Sequence, residues 1–316
     1  MDKPEKIINR LRTKGIEIGE ISKAGQGRNG VVYKLSGTHK EVYCLKIING
    51  KRLPNGNSRA AQEAEFTKYL DGIDTKRHPE LQEYDPEENW ILTKWIAGEN
   101  IQKFDKKNIE QVIRFIVDIN AKEHKNARHF LKNAIDRYKS VDDCINDISK
   151  RFDNYSKKFA PRSNEWEIDI LKNYIDKSIE NAKRMKPAIT DKCWWSAKET
   201  ELIASPSDIG VHNTLIKDGR LFFFDFEYGG LDDMSKLICD LVLQPECIIS
   251  KDIEEIILKM IEQDREEKNW LKRYETIKPL NIAKWTLIIL NGDNTRTINV
   301  EKALQYYEKA TKSNLD

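Results

Sequence analysis

The pattern of apolar and polar positions divides the chain into a strand-rich beginning and a helix-rich remainder. The β-branched and aromatic runs VVYKL (31–35) and EVYCLKII (41–48) flank the turn SGTHK, which predicts a strand–turn–strand unit. A further run, NWILTKWIAGEN (89–100), predicts a strand that leads into a loop. The last such run, LFFF (221–224), follows the turn KDG and predicts another short strand.

Apolar residues recur at three- and four-residue steps through much of the remaining sequence. NSRAAQEAEFTKYL (57–70) predicts a helix that Asn57 or Ser58 caps. The region 102–190 predicts further helices, with breaks at Pro161 and Pro187. These helices are in IEQVIRFIVDINAKEH, NAIDRYKSVDDCINDISKRFDNYSKKF and WEIDILKNYIDKSIENAKRM.

The composition is that of a globular protein with a heavily charged surface. Of the 316 residues, 39% are hydrophobic and 34% are charged. The net charge of +2 gives no global electrostatic case for nucleic-acid binding. We expect a cytoplasmic protein, since the sequence has neither an apolar leader nor an apolar run long enough for a membrane. Scattered cysteines without a C-x-x-C pair indicate reduced thiols, and not disulfides or a zinc site: Cys44, Cys144, Cys193, Cys239 and Cys247.

The segment SPSDIGVHNTLIKDGRLFFFDFEYG (205–229) carries the most specific chemical signal. Asp208 lies five residues before Asn213, and the turn KDG and the run LFFF then lead to Asp225, twelve residues further on. Phosphoryl transfer from ATP needs one carboxylate to orient a hydroxyl, and an Asn and a second Asp to hold magnesium. The segment therefore predicts Asp208 as catalytic base, with Asn213 and Asp225 as metal ligands.

A glycine-rich segment near the N-terminus, GQGRNGVVYKL (25–35), fits the pattern G-x-G-x-x-G-x-V with Gly25, Gly27, Gly30 and Val32. Alone, the pattern is weak. It occurs in dinucleotide-binding units and in kinases, and an ordinary hairpin with flexible glycines is a third possibility. Strands are predicted beyond the loop, where a dinucleotide-binding unit would open a helix. This favours the kinase hairpin that covers nucleotide phosphates.

Lys46 lies inside the apolar run VYCLKII, where an ammonium group needs a partner or a ligand because burying an unpaired charge is costly. The kinase interpretation makes Lys46 the contact to the α- and β-phosphates and pairs it with a glutamate of the next helix. Glu63 and Glu65 are the candidates and Glu63 is preferred, although a solvated helix face is the ordinary place for either.

Together, these pieces resemble the aminoglycoside phosphotransferase and choline kinase family over residues 20 to 245 or so. The matching segments are GQGRNGVV, LKII, EAEFTKYL, ILTKWIAGE, SDIGVHN, FFFDFEYGG and DDMSKLICDL. The resemblance implies an α+β, two-lobed protein-kinase-like fold, with a small antiparallel-sheet lobe over 1–97 and a mostly helical lobe over 98–316. It also implies ATP and Mg²⁺ as cofactors, and transfer of the γ-phosphate to a hydroxyl group.

The resemblance implies further roles for individual residues. The backbone from Lys94 to Ile96 would bind adenine, and Lys46 with Glu63 would anchor the nucleotide. Asp240, in ICDL, matches a family Asp that braces the catalytic loop.

One position departs from the family pattern. The family His two residues before the catalytic Asp is Pro206 here, which puts the bracing of the catalytic loop in doubt. His212 is a candidate replacement, although an isolated His is more often structural.

The sequence after Asp225 favours a small-molecule acceptor, which could be an amino sugar or aminoglycoside-like compound, another sugar, or a choline-like molecule. A protein kinase carries a long activation segment at this point, whereas DFEYGGLDDMSKL enters a helical pattern within about seven residues. Trp194 and Trp195 could stack on such an acceptor, but a pair of this kind is more often part of a core. A protein kinase and a non-catalytic pseudokinase remain alternatives, while the nucleotide preference and the oligomeric state stay open.

Overall fold

The N-terminal part of the chain is built on an antiparallel sheet. The computed structural model describes residues 3–27, 29–38, 40–50, 52–159, 165–186, 194–265, 269–292 and 296–312. The sheet has the strand order β1-β2-β3-β5-β4. Its strands are β1 (Ile18–Gln26), β2 (Gly30–Gly37), β3 (Val42–Ile48), β4 (Leu81–Asp85) and β5 (Trp90–Lys94). The predicted glycine-rich hairpin is thus the β1–β2 turn, and β3 is the central strand.

Two helices pack with this sheet. Helix α1 (Lys3–Thr13) contributes Ile7, Ile8 and Leu11 to a small core that lies entirely between residues 7 and 92. Helix α2 (Arg59–Gly72) begins at Ser58, whose side chain accepts a hydrogen bond from the backbone N–H of Ala61. Of the two predicted caps, Ser58 is therefore the residue that caps the helix.

The C-terminal part is mostly helical, with short strands around residues 225–227, the DFE segment. Strands β6 (Glu99–Asn100), β8 (Thr214–Lys217) and β9 (Arg220–Phe223) form one small sheet, and β7 (Ile203–Ser205) pairs with β10 (Gly230–Asp232). The helices are α3 (Lys106–Ile119), α4 (Lys125–Arg128), α5 (Val141–Phe159), α6 (Glu165–Arg184), α7 (Met234–Val242), α8 (Lys251–Asp264), α9 (Asn269–Leu290) and α10 (Arg296–Lys312). An α+β architecture with a sheet-based N-terminal part and a helical remainder is confirmed.

A second, larger core joins the two parts of the chain. It is formed mainly by apolar side chains of the C-terminal helices, but it also includes Phe66, Tyr69 and Leu70 of α2. The ring centroids of Phe66 and Phe226 lie 5.2 Å apart. Helix α2 is therefore packed against the segment that follows Asp225, and it contacts both the N-terminal sheet and that segment.

Two predicted helix boundaries were wrong. The helix predicted from Asn133 begins only at Val141, because the segment before it bonds to β10: Ala134 donates its backbone N–H to the carbonyl of Leu231 at 3.0 Å. Helix α7 begins at Met234, later than predicted, because β10 comes first. The predicted breaks at Pro161 and Pro187 lie outside the described residues, as does Cys193.

Trp194 and Trp195 are 6% and 3% exposed and belong to the larger core, so they pack in the interior.

Among the described residues, no helix combines the length and the apolar composition that crossing a bilayer would require.

Candidate active site

The loop that carries Asp208 and Asn213 is closed by hydrogen bonds of its own. The Asn213 side-chain amide donates to the backbone carbonyl of Asp208 at 2.9 Å, and the hydroxyl of Thr214 donates to the carbonyl of Gly210 at 2.8 Å. The pairing of β8 with β9 then brings the end of this loop beside Asp225, since Phe224 donates its N–H to the carbonyl of Asn213 at 3.2 Å. The spacing seen in the sequence is thus converted into proximity by a short hairpin.

Asp225 has a left-handed backbone conformation, with φ of 66°. Asp and Asn tolerate this region better than most residues, because their short polar side chains bond locally. The bend turns the chain out of β9 at the point where the DFE segment meets the N-terminal sheet. There the carboxylate of Asp225 accepts a hydrogen bond from Lys46.

Lys46 is the centre of a charge cluster in which Glu63 and Glu227 are buried and Asp225 is partly exposed. Its Nζ lies 3.0 Å from a carboxylate oxygen of Glu63 and 3.3 Å from one of Glu227, in addition to its bond with Asp225. Burial opposes the charged ammonium, but these three carboxylates outweigh it and raise the pKa of Lys46 well above its usual value. Burial also raises the pKa of Glu63 to about 7, against the opposing effect of Lys46.

The carboxylates around Lys46 form an oxygen-rich group. Glu63, Asp225 and Glu227 each offer one ligand atom, and these atoms lie within 4.8 Å of one another. Carboxylate oxygens are the ligands that Mg²⁺ takes from proteins, so the donor set suits this ion. Glu65, the other glutamate considered on α2, instead pairs with Lys132 at 2.6 Å near the surface.

No role was predicted for Glu227 from the sequence, although it belongs to the DFE segment. It is 3% exposed. Its carboxylate accepts hydrogen bonds from Asn29 at 2.6 Å and from Arg59 at 3.0 Å, as well as from Lys46. Glu227 therefore connects the glycine-rich turn, the start of α2 and the buried lysine. The only local signal was its place two residues after Asp225.

The glycines of the β1–β2 turn have different surroundings. A Cβ atom added at Gly30 would lie 2.4 Å from the carbonyl oxygen of Ile47, so the β2–β3 pairing leaves no room for a side chain there. Nothing lies within 4 Å of the same position at Gly25 or Gly27. The fold thus requires a glycine at position 30, whereas Gly25 and Gly27 face open space.

Two cavities meet at these residues. One of about 460 Å³ is lined by Gly25, Val32, Cys44, Thr93 and the segment Lys94–Ile96. The other, of about 600 Å³, contains Asp208 and Asn213. Both are lined by Val32, Lys46, Phe224 and Asp225, which places the charge cluster at their junction.

Comparison with known proteins gives structural matches only. No family model matches the sequence, and neither does any curated protein. Choline kinase LicA from Streptococcus pneumoniae matches with a TM-score of 0.62 at 16% identity, covering 99% of each chain. A choline kinase from Cryptosporidium parvum matches with a TM-score of 0.65 at 14% identity, covering 99% of this chain and 97% of the other. ADP-bound aminoglycoside phosphotransferase APH(2'')-Ib matches with a TM-score of 0.61 at 14% identity, covering 99% of each chain.

This chain has the fold of choline kinases and aminoglycoside phosphotransferases. The match extends over nearly the whole length of all three neighbours, so the kinase-like fold holds for both the sheet and the helical part. Sequence identity is low in every case, and the likeness therefore concerns the fold alone.

Within this kinase-like fold, Asp240 does not contact the catalytic loop as the resemblance implied. Its two carboxylate oxygens accept hydrogen bonds from Lys236, at 2.8 Å, and from Lys284 of α9. All three side chains are buried, and the two lysines lower the pKa of Asp240 against the effect of burial. Asp240 is thus neutralised in the wall of the larger cavity, and Gln244 contacts Asp208 in its place.

The lining of the larger cavity includes hydrogen-bond donors that other described side chains do not use. Arg151 uses its Nε to bond Asp147 at 2.8 Å, and its terminal nitrogens have no hydrogen-bond partner among the described residues. Lys284 has Asp240 as its single hydrogen-bond partner within the same set. Trp285 and the exposed Asp136 also line this cavity. The cavity therefore offers several unused N–H donors in addition to its carboxylates.

Proposed function

We propose that this protein transfers the γ-phosphate of ATP to a hydroxyl group of a small molecule. The observation that carries the proposal is the convergence of Asp208, Asn213 and Asp225 with the Lys46–Glu63 ion pair on one cleft. These are the residue types that phosphoryl transfer uses for its base, its metal and its phosphate contact. The kinase-like fold, and a neighbour that was solved with ADP, support the same reaction.

The two cavities suggest how a nucleotide would lie. We propose that adenine enters the cavity lined by Cys44 and Thr93, with the backbone of Lys94 to Ile96 as its hydrogen-bonding edge. The triphosphate would then pass under Gly25 and Gly27, where no side chain obstructs it, towards Lys46. In this arrangement, residues 1–97 and 98–316 serve as the two lobes.

Asn213 and Asp225 are proposed to hold Mg²⁺, and Glu227 and Glu63 lie near enough to take part. The ion would neutralise charge on the phosphates of ATP. The buried carboxylates are balanced by Lys46 in the nucleotide-free protein. Lys46 is also the proposed phosphate contact. When its ammonium group bonds the phosphates, Mg²⁺ would balance the carboxylates in its place, so they would not be left unpaired.

Asp208 is proposed as the base. An acceptor hydroxyl would donate its proton to the Asp208 carboxylate while its oxygen forms a bond to the γ-phosphorus. The bond between that phosphorus and the bridging oxygen would break, and ADP would leave. Positioning and electrostatics, more than covalent chemistry, provide the rate in reactions of this class.

The acceptor is proposed to be small and rich in oxygen atoms. Only a short strand and a turn separate Asp225 from α7, which leaves little room for a peptide-binding platform after the proposed metal ligand. The unused donors of Arg151 and Lys284 suit the oxygens of a sugar or amino sugar. A quaternary ammonium group cannot accept hydrogen bonds and would leave these donors unsatisfied, which favours a sugar-like acceptor over choline.

The proposal is tested by nucleotide binding and by turnover. Addition of Mg-ATP should raise the melting temperature, because a ligand that binds only the folded state stabilises it. ATP consumption should then be screened over sugars, amino sugars, aminoglycosides, choline and a protein substrate such as casein. Binding without turnover would indicate a pseudokinase, and transfer to protein alone a protein kinase. Absence of any shift at millimolar ATP or GTP would refute the proposal.

A further inference from the structure

Asp208 is held on both sides by side chains that the catalytic-loop pattern does not contain. The Nε2 of Gln244 donates to Asp208 Oδ1 at 2.7 Å, and the Nε2 of His212 lies 3.3 Å from Oδ2. We infer that Gln244, assisted by His212, positions the carboxylate of Asp208 for the proposed reaction, in the place of a histidine that this chain replaces with Pro206. The inference rests on the proposed function.

Gln244 is built into the fold as a fixed donor. It is 3% exposed and follows α7, and its backbone carbonyl accepts a hydrogen bond from the backbone N–H of Cys247 at 3.0 Å. An ionised carboxylate can only accept hydrogen bonds, so the amide nitrogen, and not the amide oxygen, must face Asp208. A buried amide that donates to a charged group forms one of the stronger protein hydrogen bonds.

Gly210 gives independent support. A Cβ atom at this position would lie 2.9 Å from Nε2 of Gln244 and 2.7 Å from Cε1 of the His212 ring. Gly210 has an extended backbone, with φ of −118°, so its conformation alone does not demand glycine. The missing side chain is what allows Gln244 and His212 each to reach one carboxylate oxygen of Asp208.

Pro206 explains why such support is needed. Its side chain has no donor, and its carbonyl only accepts the N–H of Asp208, at 2.9 Å. Without Gln244 and His212, nothing among the described side chains would fix the rotation of the Asp208 carboxylate. A small displacement of a reacting group can reduce the rate by roughly 100-fold.

Three variants of Gln244 test the inference. Gln244→Met keeps the volume and removes the donor, Gln244→Glu places a carboxylate against Asp208, and Gln244→His keeps an N–H donor. We expect Gln244→Met to lower kcat roughly 10- to 100-fold while KM for ATP stays within about twofold, since Gln244 bonds to Asp208 and lines neither cavity. Gln244→Glu should be slower still, and Gln244→His should recover part of the loss.

The matched control is Gln263→Met on the exposed side of α8, which should change neither kcat nor stability. Melting temperatures separate a structural role from a positioning role. If Gln244 were purely structural, the Gln244→Met protein would melt at a lower temperature, but its kcat would match wild type when assayed well below that temperature. Wild-type kcat in Gln244→Met, with an active wild type, would overturn the positioning role and leave the proposed function standing. A wild type that neither binds ATP nor turns over would overturn both.

Discussion

The ammonium group of Lys46 lies 3.0 Å from a carboxylate oxygen of Glu63, which ties the central strand β3 to helix α2. The same nitrogen bonds Asp225, at the start of the DFE segment. Helix α2 also packs on Phe226 through Phe66. The ion pair and this apolar contact together hold β3, α2 and the DFE segment in one arrangement. The position of α2 is therefore coupled to the position of the proposed metal ligand.

Glu63→Gln should weaken ATP binding while the protein stays folded. The substitution removes one of the three carboxylates around Lys46 and leaves the lysine side chain free to shift towards Asp225 or Glu227. We expect the Kd for Mg-ATP, measured by calorimetry, to rise roughly tenfold, the equivalent of about 1.4 kcal/mol. Glu65→Gln on the same helix is the control, because its partner Lys132 lies near the surface, and it should bind ATP normally. Equal affinities in the two variants would contradict a role for Glu63.

Asp225→Asn should abolish turnover without unfolding the protein. Asn tolerates the left-handed conformation at this position almost as well as Asp, so the loss would reflect the charge. Asn213→Ala should reduce turnover as well. Asp218→Asn is the control, since Asp218 is also left-handed, with φ of 50°, but lies in the exposed turn between β8 and β9. Near-normal Mg-dependent turnover in Asp225→Asn would refute its assignment as a metal ligand.

Gly30 and Gly27 of the turn should respond differently to alanine. Gly30→Ala forces a Cβ against the carbonyl of Ile47 and should destabilise the protein by about 1–3 kcal/mol, the usual range for overpacking. Gly27→Ala meets no protein atom, so its melting temperature should match wild type, whereas KM for ATP should rise if phosphates pass close to the backbone. Chemical denaturation and steady-state kinetics measure the two effects. Similar stability in both variants would show that the β2–β3 pairing yields to the added methyl group.

The parts of the site that lie close together in sequence were the ones that could be predicted. The hairpin, the Ser58 cap and the D-x4-N spacing are local patterns, and local geometry follows from them. The Lys46–Glu63 contact could be predicted as well, because an ammonium group buried within a strand needs a partner and the next predicted element was a helix with glutamates.

The remaining contacts depend on tertiary packing. Gln244 is 36 residues from Asp208 and Lys284 is 44 from Asp240, and neither separation leaves a pattern in a single sequence. Asp240 was placed wrongly because one of its two partners, Lys284, comes from α9, a helix that carried no recognised motif. The start of the helix predicted from Asn133 was wrong for the same reason, because the backbone there bonds to β10, which is distant in sequence.

Asp232 should make stability depend on pH. Burial raises the pKa of its carboxyl from 3.8 to about 6, and the charge of Lys236 opposes this only in part. Between these values, the folded protein binds more protons than the unfolded chain, so the contribution of Asp232 to stability falls as pH rises from about 4 to about 6. Asp232→Asn removes this titration. The stability of wild type relative to the variant should therefore decline across that window and stay level above it, as followed by denaturation at several pH values. Parallel pH curves would contradict the raised pKa.

Asp208→Asn should separate chemistry from nucleotide binding. Asp208 belongs to the larger cavity and makes no contact with Lys46 or its three carboxylates, so the Kd for Mg-ATP should stay within about twofold of wild type. Asn cannot accept the acceptor's proton, and the transfer rate should fall roughly 100-fold or more, the usual effect of losing a general base. Single-turnover measurements with the best acceptor from the screen give the rate, calorimetry gives the affinity, and a melting curve checks the fold. Loss of ATP binding and folding together would make Asp208 a structural residue. Full transfer by the variant would mean that the hydroxyl loses its proton to another group, and the mechanism proposed for this cleft would then be wrong.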